Sequence, residues 1–254
     1  MLNYIIVFIG GTAAGSFFYT LALKYINGEI KNSPLKALFS RSICPCCGEK
    51  IGTVSLIPLL GYLLAAGKCS SCGGRISPLY PLWEIIYGSL ALAVFYFFGS
   101  GFYPLSLFVI CSVSLCIAIV DYYTFIIPDS LLLLFFLTSI YPVMLRGEWL
   151  NNLAGFGFLT LFFLVVMLIF PGAFGGGDLK YFAAAGFFFG IEESVVLLEV
   201  TLITGAAAGA AWALIKKKGL RVRIPFAPFI TWGVLLTLFV GKDILLWYYS
   251  LVYQ

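Results

Sequence analysis

The chain has 254 residues, of which 62% are hydrophobic and only 10% are charged, and it contains no histidine. Soluble domains are about one-quarter charged and about half apolar, so this composition is typical of a protein that crosses the membrane several times. The lack of histidine excludes Ser-His-Asp and Cys-His catalysis, HExxH metalloproteases and metals bound by histidine. Any enzymatic chemistry would have to use carboxylates, thiols, lysines or a bound cofactor.

Apolar runs of roughly 20 residues predict an all-α polytopic fold with about eight transmembrane helices. The sixth run is at the lower limit of length and is interpreted as a short span or as a buried or tilted helix. The first run lacks the basic segment of a signal peptide, and its glycines predict a helix-packing face. The eight runs cover residues 2–22, 80–99, 103–120, 126–145, 152–171, 179–190, 194–215 and 225–241.

The distribution of cations orients the predicted helices with the amino terminus outside the cell. In this orientation the cytoplasmic segments hold 13 lysines and arginines, whereas only Arg146 and Lys242 are outside. The net charge of +4 therefore reflects membrane topology, and no basic stretch interleaved with aromatic residues predicts nucleic-acid binding. Residues 216–218 are interpreted as a stop signal able to contact anionic membrane lipid. The 13 inner cations are Lys24, Lys31, Lys36, Arg41, Lys50, Lys68, Arg75, Lys180, Lys216, Lys217, Lys218, Arg221 and Arg223.

The long polar segment between the first two predicted spans carries two pairs of cysteines. Taking Cys44, Cys47, Cys69 and Cys72 as ligands gives two C-x2-C pairs separated by 21 residues. This spacing is close to that of a zinc ribbon, in which four thiolates hold one tetrahedral ion. The alternative is a pair of disulfides, which a reducing cytosol disfavours. We predict a zinc-ribbon-like cytoplasmic loop with a structural role, in which Cys46 is an extra thiol that can compete with Cys47.

Two aspartates stand at the edges of predicted spans, where charge is costly and usually functional. Asp121 ends the third span, and Asp178 opens the sixth after Gly175, Gly176 and Gly177. The topology predicts that both lie at the cytoplasmic face, and the glycines would form a flexible segment along which a substrate strand can lie. Two carboxylates in a site of low dielectric constant share a proton, as in aspartic proteases. Taken singly, however, Asp178 is better explained as the N-cap of a helix.

Two further acids have less specific surroundings. Asp129 follows Pro128 at the start of the fourth span, where a helix-start role is favoured because a carboxylate stabilises the helix dipole. Glu84 lies near the inner end of the second span.

An ordered set of motifs resembles the type IV prepilin peptidases, which are membrane aspartyl proteases of the GxGD group. The GxGD motif is at 175–178, and the earlier Asp121 precedes Pro128-Asp129. The resemblance runs in order from about residue 10 to about residue 190. Its other parts are Gly15-Ser16-Phe17, Arg41-Ser42, Ile57-Pro58 and the segment from Ile76 to Glu84.

The resemblance implies an enzyme of the bacterial inner membrane that removes the basic leader of type IV prepilins and pseudopilins at the cytoplasmic face. It implies that Asp121 and Asp178 are the catalytic pair. Many members then methylate the new amino terminus with S-adenosylmethionine. This divides the chain into a methyltransferase-associated region, 1–99, which holds the zinc loop, and a peptidase domain, 100–254. Glu84 is the candidate for the methylation site, and an interfacial residue reaching water is the equal alternative.

Two other functions are compatible with parts of the sequence. A proton-coupled transporter could relay protons through the same acids, but the acids lie at one predicted face and no inverted repeat is visible. A zinc-bearing scaffold of a secretion or pilus machine would use both aspartates only to cap helices. Membrane lipids are expected partners in every case.

Overall fold

The predicted all-α fold is confirmed in the parts of the chain that the computed structural model describes, which are residues 2–32, 43–44, 46–52, 56–216 and 224–252. The Arg41-Ser42 motif, Lys36 and the basic residues 217–223 lie outside these ranges. Within them, β structure is confined to two isolated bridges, Ile43 with Lys50 and Lys68 with Arg75. The helices are α1 (Leu2–Ile26), α2 (Glu29–Asn32), α3 (Leu60–Leu64), α4 (Leu79–Phe98), α5 (Phe102–Thr124), α6 (Asp129–Arg146), α7 (Trp149–Ile169), α8 (Gly176–Phe189), α9 (Ile191–Lys216) and α10 (Ala227–Val252).

Seven of the described helices are long and apolar enough to cross a membrane, namely α1, α4, α5, α6, α7, α9 and α10. They correspond to seven of the eight predicted spans. The remaining one, the sixth, is α8, which has 14 residues and is therefore about 21 Å long.

The short helix α8 lies alongside α7 and returns to the level at which α7 begins. Its residues 181–190 are all buried, so it is surrounded by protein and has no need of a long apolar surface. Near its end, the carbonyl of Phe187 accepts a hydrogen bond of 2.8 Å from Asn152 in the first turn of α7. Gly186 of α8 likewise contacts the backbone of Gly155 in α7. The two helices are therefore antiparallel, and α8 is the short buried helix that the sequence allowed as an alternative to a full span.

The chain divides into two compact units, Met1–Phe108 and Val109–Gln254, with the boundary inside α5. In the first unit, α1 packs on α4 through small residues. A Cβ atom at Gly11 would lie 2.7 Å from Ala91, and one at Gly15 would lie 3.0 Å from the Cα atom of Glu84. Gly10 has nothing within 4 Å. The predicted packing face is thus formed by Gly11 and Gly15 without Gly10.

In the second unit, aromatic contacts surround α8. The ring of Phe182 stacks on Phe163 of α7 at 4.0 Å between centroids, and Tyr181 meets Phe135 of α6 edge to face at 5.5 Å. The Tyr181 hydroxyl lies 3.0 Å from the hydroxyl of Thr231 in α10, which donates to the carbonyl of Ser114 in α5. This chain of hydrogen bonds fixes α5, α8 and α10 together inside the unit.

Candidate functional site

The four cysteines predicted as metal ligands come together in the first unit. One sulfur from each of Cys44, Cys47, Cys69 and Cys72 lies within 4.8 Å of all the others. The sulfurs of Cys44 and Cys72 are 3.9 Å apart. A tetrahedral zinc ion with Zn–S bonds of about 2.3 Å requires sulfur–sulfur distances of about 3.8 Å. The donor set and its dimensions therefore fit a zinc ion, while Cys46 lies outside the set.

The two cysteine pairs have the same backbone geometry. In each pair the first cysteine donates its N–H to the carbonyl five residues ahead and accepts, at its own carbonyl, the N–H of the glycine four residues ahead. The glycine has a positive φ, +73° for Gly48 and +71° for Gly73, which suits the sharp turn past the sulfurs. The hydrogen bonds are Cys44 to Glu49 and Gly48 to Cys44 in one pair, and Cys69 to Gly74 and Gly73 to Cys69 in the other.

Backbone amides also favour the thiolate forms that a metal requires. The N–H groups of Cys47 and Cys46 lower the pKa of the Cys44 thiol to about 6. The N–H groups of Cys72 and Ser71 lower the pKa of Cys69 below its ordinary value. The N–H of Glu49 acts on Cys47 in the same direction, but burial and the other three sulfurs raise the pKa of Cys47 to about 12, and the pKa of Cys72 is also raised, so a bound cation is needed to make all four groups thiolates. The seven cysteines are free thiols, so the alternative of two disulfides is not adopted.

Asp121 is buried in the last turn of α5, with 4% of its surface exposed. Its Oδ2 atom accepts a hydrogen bond of 3.0 Å from the backbone N–H of Ala227, the first residue of α10. A helix amino terminus carries unpaired N–H groups and the positive end of the helix dipole, so it suits a carboxylate. The sequence reasoning missed Ala227, because a backbone donor leaves no side-chain signal.

Asp178 occupies the first turn of α8, immediately after the glycines. Its Oδ2 atom accepts the N–H of Gly175 at 2.8 Å. Gly175 is the N-cap residue, so Asp178 is not the N-cap that the sequence suggested as an alternative. Its carboxylate instead reaches back to the N-cap, which is one half of a capping box. Asp178 therefore uses one carboxylate oxygen, Oδ2, to cap α8, and its other oxygen has no part in that capping contact.

The fold brings Asp121 and Asp178 close enough for their charges to interact, although they are 57 residues apart in the sequence. The loops that carry them also touch. Ile127, between α5 and α6, packs on Gly177, where a Cβ atom would lie 3.0 Å from the Cβ of Ile127. Gly176 has nothing within 4 Å, so only one of these two glycines is required by close packing.

Asp129 lies in the first turn of α6, as its predicted helix-start role requires. It makes no side-chain hydrogen bond that caps α6. Its Oδ1 atom instead forms a 2.7 Å ion pair with Lys180 of α8, and its side chain is 74% exposed. The ion pair is a second link between the segments that carry Asp121 and Asp178.

Glu84 belongs to the first unit and is buried in α4, with 6% of its surface exposed. Its Oε2 atom accepts a hydrogen bond of 2.8 Å from the N–H of Leu59. Leu59 has a φ of +63°, which is unusual for a residue other than glycine. Glu84 therefore holds the loop after Ile57-Pro58. The alternative interpretation expected its carboxylate to reach water, but the side chain is buried.

These features define a multi-pass helical membrane protein with a loop in one unit whose four thiols could hold a metal ion, and with Asp121 and Asp178 on neighbouring segments of the other. Residues 9–98 match the bacterial peptidase A24 N-terminal domain, and residues 108–214 match the type IV leader peptidase family. The chain belongs to the type IV leader peptidase family, which confirms the resemblance seen in its motifs.

Several relatives cover most of the chain. A prepilin leader peptidase/N-methyltransferase of Bacillus subtilis (strain 168) is 33% identical over 245 residues, which is 96% of both chains. The enzyme of the same name from Burkholderia pseudomallei (strain 1026b) is 31% identical over 79% of this chain and 67% of its own. That from Aeromonas hydrophila is 27% identical over 86% of this chain and 78% of its own. No solved structure matches the chain.

Proposed function

We propose that this protein removes the basic leader of type IV prepilins and pseudopilins by aspartyl peptidase chemistry at the cytoplasmic face of the bacterial inner membrane. The observation that carries the proposal is the contact between the two segments that hold Asp121 and Asp178: Ile127 packs on Gly177, and Asp129 pairs with Lys180 at 2.7 Å. Membership of the type IV leader peptidase family supports the substrate class, since the relatives are named prepilin leader peptidases.

The proposed chemistry requires one carboxyl to be ionised and the other to be protonated. Two neighbouring carboxylates in a site of low dielectric constant favour this state, because both cannot ionise easily. The ionised group takes a proton from a water molecule, whose oxygen attacks the carbonyl carbon of the scissile peptide. The protonated group donates to the carbonyl oxygen. Collapse of the tetrahedral intermediate then breaks the C–N bond, and the leaving amine receives a proton from a carboxyl group.

Backbone hydrogen bonds support these roles. One oxygen of Asp121 is held by the N–H of Ala227 and one oxygen of Asp178 by the N–H of Gly175, so one amide limits the rotation of each carboxylate. The second oxygen of each is the atom that we propose handles the proton. Gly175, Gly176 and Gly177 are proposed to offer backbone to the extended substrate strand.

The charge distribution supports the proposed cytoplasmic placement of the site. The loops on the same side as Asp121 and Asp178 hold 13 of the 15 cations, and the positive-inside rule assigns such loops to the cytoplasm. On this basis the four-cysteine loop faces the same compartment. A labelling experiment with a membrane-impermeant thiol reagent on Cys46 tests the assignment, because this thiol is exposed.

The peptidase proposal is tested by Asp121→Asn and Asp178→Asn in membranes that contain a co-expressed prepilin. Each variant is expected to lose cleavage by about 100-fold or more, the usual contribution of a general acid or base. The readout is the mass of the prepilin, and Asp243→Asn, which changes an exposed residue of α10 outside the pair, is the control. Near-normal cleavage by either aspartate variant at wild-type expression would refute the proposal. The scaffold alternative predicts uncleaved prepilin with the wild-type protein as well.

The dependence of cleavage on pH gives a second readout for the same proposal. A coupled pair that must hold one proton is expected to give a bell-shaped profile, with activity falling when both groups are protonated and when both are ionised. A flat profile from acid to neutral pH would contradict the paired mechanism.

We also propose that the first unit methylates the new amino terminus, with Glu84 in the methylation site. S-adenosylmethionine, which is a sulfonium cation, would supply the methyl group to the neutral amine and leave as the thioether S-adenosylhomocysteine. A buried carboxylate fits a cationic group, and both the sulfonium and the substrate ammonium are cationic. One oxygen of Glu84 is bound to Leu59, so the other is proposed to hold the amine or take its proton.

Glu84→Gln tests this role, because glutamine retains an oxygen that can accept the Leu59 N–H. The expected product is a cleaved prepilin that lacks the mass of one methyl group, whereas wild-type protein and the control Glu29→Gln give the methylated product. Full methylation by Glu84→Gln would exclude Glu84 and leave the peptidase proposal untouched.

A further inference from the structure

Lys68 and Arg75 form an unusual pair in the second cysteine knuckle. They face each other across an isolated antiparallel bridge. Directly opposite residues of such a bridge place their side chains on the same side, and like charges at these positions repel each other. In the first knuckle the equivalent bridge pairs Lys50 with the uncharged Ile43. The second knuckle therefore carries a local excess of positive charge that the first does not.

No acidic side chain of the protein neutralises this pair. All 11 aspartates and glutamates are within the described residues. The ion pair found among those residues joins Lys180 to Asp129, in the second unit. Glu84, which belongs to the same unit as the cation pair, is bound to the amide of Leu59. No carboxylate therefore pairs with the two cations, and the counter-charge nearest to them in sequence is that of the cysteine sulfurs, which as four thiolates around a zinc ion would carry a net negative charge.

A cavity of about 400 Å³ opens beside the two cations. The residues that line it include Tyr62 and Ser77, both of which carry a hydroxyl group. Ser77 accepts the N–H of Leu79 at 3.3 Å through its oxygen, so its own proton is available to the cavity. The charged and hydroxyl groups of the lining can thus all donate hydrogen bonds, and none carries negative charge. Such a lining suits an anion with several acceptor oxygens, because charge-assisted bonds from lysine and arginine are the strong ones.

The position of the cavity suggests where the anion comes from. Pro78 lines the cavity and is also the N-cap of α4, the span that begins at Leu79. The cavity is therefore next to the point at which the chain enters the bilayer. Lipid headgroups occupy this level, and basic pockets at the ends of membrane helices are a known means of holding anionic ones.

We propose that the Lys68–Arg75 cavity binds the phosphate group of an anionic phospholipid headgroup. The bound phosphate would give the two cations a second anionic partner, on the cavity side, in addition to the zinc-binding sulfurs. It would thereby anchor the second cysteine knuckle to the membrane surface at the start of α4. This inference is independent of the proposed peptidase and methyltransferase activities.

The test uses the full-length protein in detergent and short-chain phosphatidylglycerol as the probe. Arg75→Gln and the double variant K68Q/R75Q are compared with Lys50→Gln, which removes one charge at the equivalent bridge position of the first knuckle. We expect Arg75→Gln to weaken binding about tenfold and the double variant to weaken it further. Lys50→Gln should remain within about twofold of wild type. Bound lipid is counted by native mass spectrometry, and zinc content reports whether the loop stays folded.

Three further outcomes decide the proposal. Equal phosphatidylglycerol binding by K68Q/R75Q and Lys50→Gln overturns it. Equal affinity for zwitterionic phosphatidylcholine overturns the requirement for an anionic lipid. If inorganic phosphate binds as tightly as phosphatidylglycerol and depends on the same two residues, the anion site stands and the lipid is not its ligand. If K68Q/R75Q loses zinc, the single variants decide the proposal instead. Arg75→Gln should still bind phosphatidylglycerol more weakly than wild type, whereas Lys68→Arg, which keeps the charge, should bind like wild type.

Discussion

The two units of the molecule fix their polar groups in opposite ways. In the first unit the sulfurs stand in a long loop with little regular structure, and Cys47 and Cys72 are exposed to solvent. In the second unit Asp121 is buried in a helix and is held by the amide at the start of another helix. The first arrangement would depend on a bound metal ion, whereas the second depends on packing that the chain supplies itself.

This difference has consequences for stability. A loop whose ligands converge on a metal has no preformed site when unfolded, so the free energy of metal binding becomes folding free energy. The second unit instead rests on close contact between helices and on stacked aromatic rings, as at Phe163 and Phe182. Loss of metal and loss of packing should therefore damage different halves of the protein and different activities.

The largest effect is expected from removal of one metal ligand. Cys44→Ser should reduce bound zinc from about one ion per chain to near zero, since a structural site needs all four ligands. Because structural zinc contributes on the order of 10 kcal/mol or more to folding, the yield of intact protein should fall sharply. Metal analysis of purified protein measures the first effect, and limited proteolysis of the residue 43–78 loop measures the second.

Cys46→Ser is the matched control, since Cys46 is an exposed thiol of the same knuckle but lies outside the four-sulfur set. It should keep both zinc and yield. Leader cleavage per molecule of surviving Cys44→Ser protein should stay within a few-fold of wild type. If cleavage disappears completely in protein that is still inserted and folded in its second unit, the two units are not energetically separate.

A smaller effect is expected from filling the contact between α7 and α8. A Cβ atom at Gly155 would overlap the backbone of Gly186 and Gly190, so Gly155→Ala must force the helices apart. Overpacking of this kind costs about 1–3 kcal/mol. Gly157, two residues along the same helix, has nothing within 4 Å, so Gly157→Ala should be neutral or slightly stabilising.

The thermal midpoint of each variant in detergent measures this difference, and zinc content measures whether it reaches the first unit. We expect Gly155→Ala to lower the midpoint and to leave zinc bound. A lower midpoint for Gly157→Ala than for Gly155→Ala would show that the close approach of the two helices does not limit stability.

The sequence was sufficient for features that depend on a local pattern or on depth in the membrane. Apolar runs predicted the crossings, and the spacing of two C-x2-C pairs predicted which four sulfurs converge. Counting crossings was enough to predict that Asp121 and Asp178 lie on the same side of the membrane, and the segments that carry them do touch, at Ile127 and Gly177. The sequence can therefore predict that these aspartates are near each other, because a span can end on only two sides of a membrane.

Features that depend on a particular helix–helix contact were not predictable. Gly10 and Gly11 are neighbours in the sequence, yet only Gly11 meets α4, because successive residues of a helix point about 100° apart. The partners of Asp121 and Glu84 are the backbone amides of Ala227 and Leu59, which any residue other than proline could supply. The length of α8 follows from burial among other helices, which a hydropathy pattern does not report.

The smallest effect is expected from the ion pair between Asp129 and Lys180. Both side chains are more than half exposed, and an exposed pair contributes at most about 1 kcal/mol because water screens it. Asp129→Asn and Lys180→Gln should therefore each change leader cleavage by less than about fivefold, and the double variant should resemble the singles because they remove the same contact. Cleavage assays at low and high salt measure this, and wild type at high salt should approach the variants. A loss as large as that of Asp121→Asn would mean that Asp129 takes part in the chemistry, and the second unit would then depend on an exposed group as the first one does.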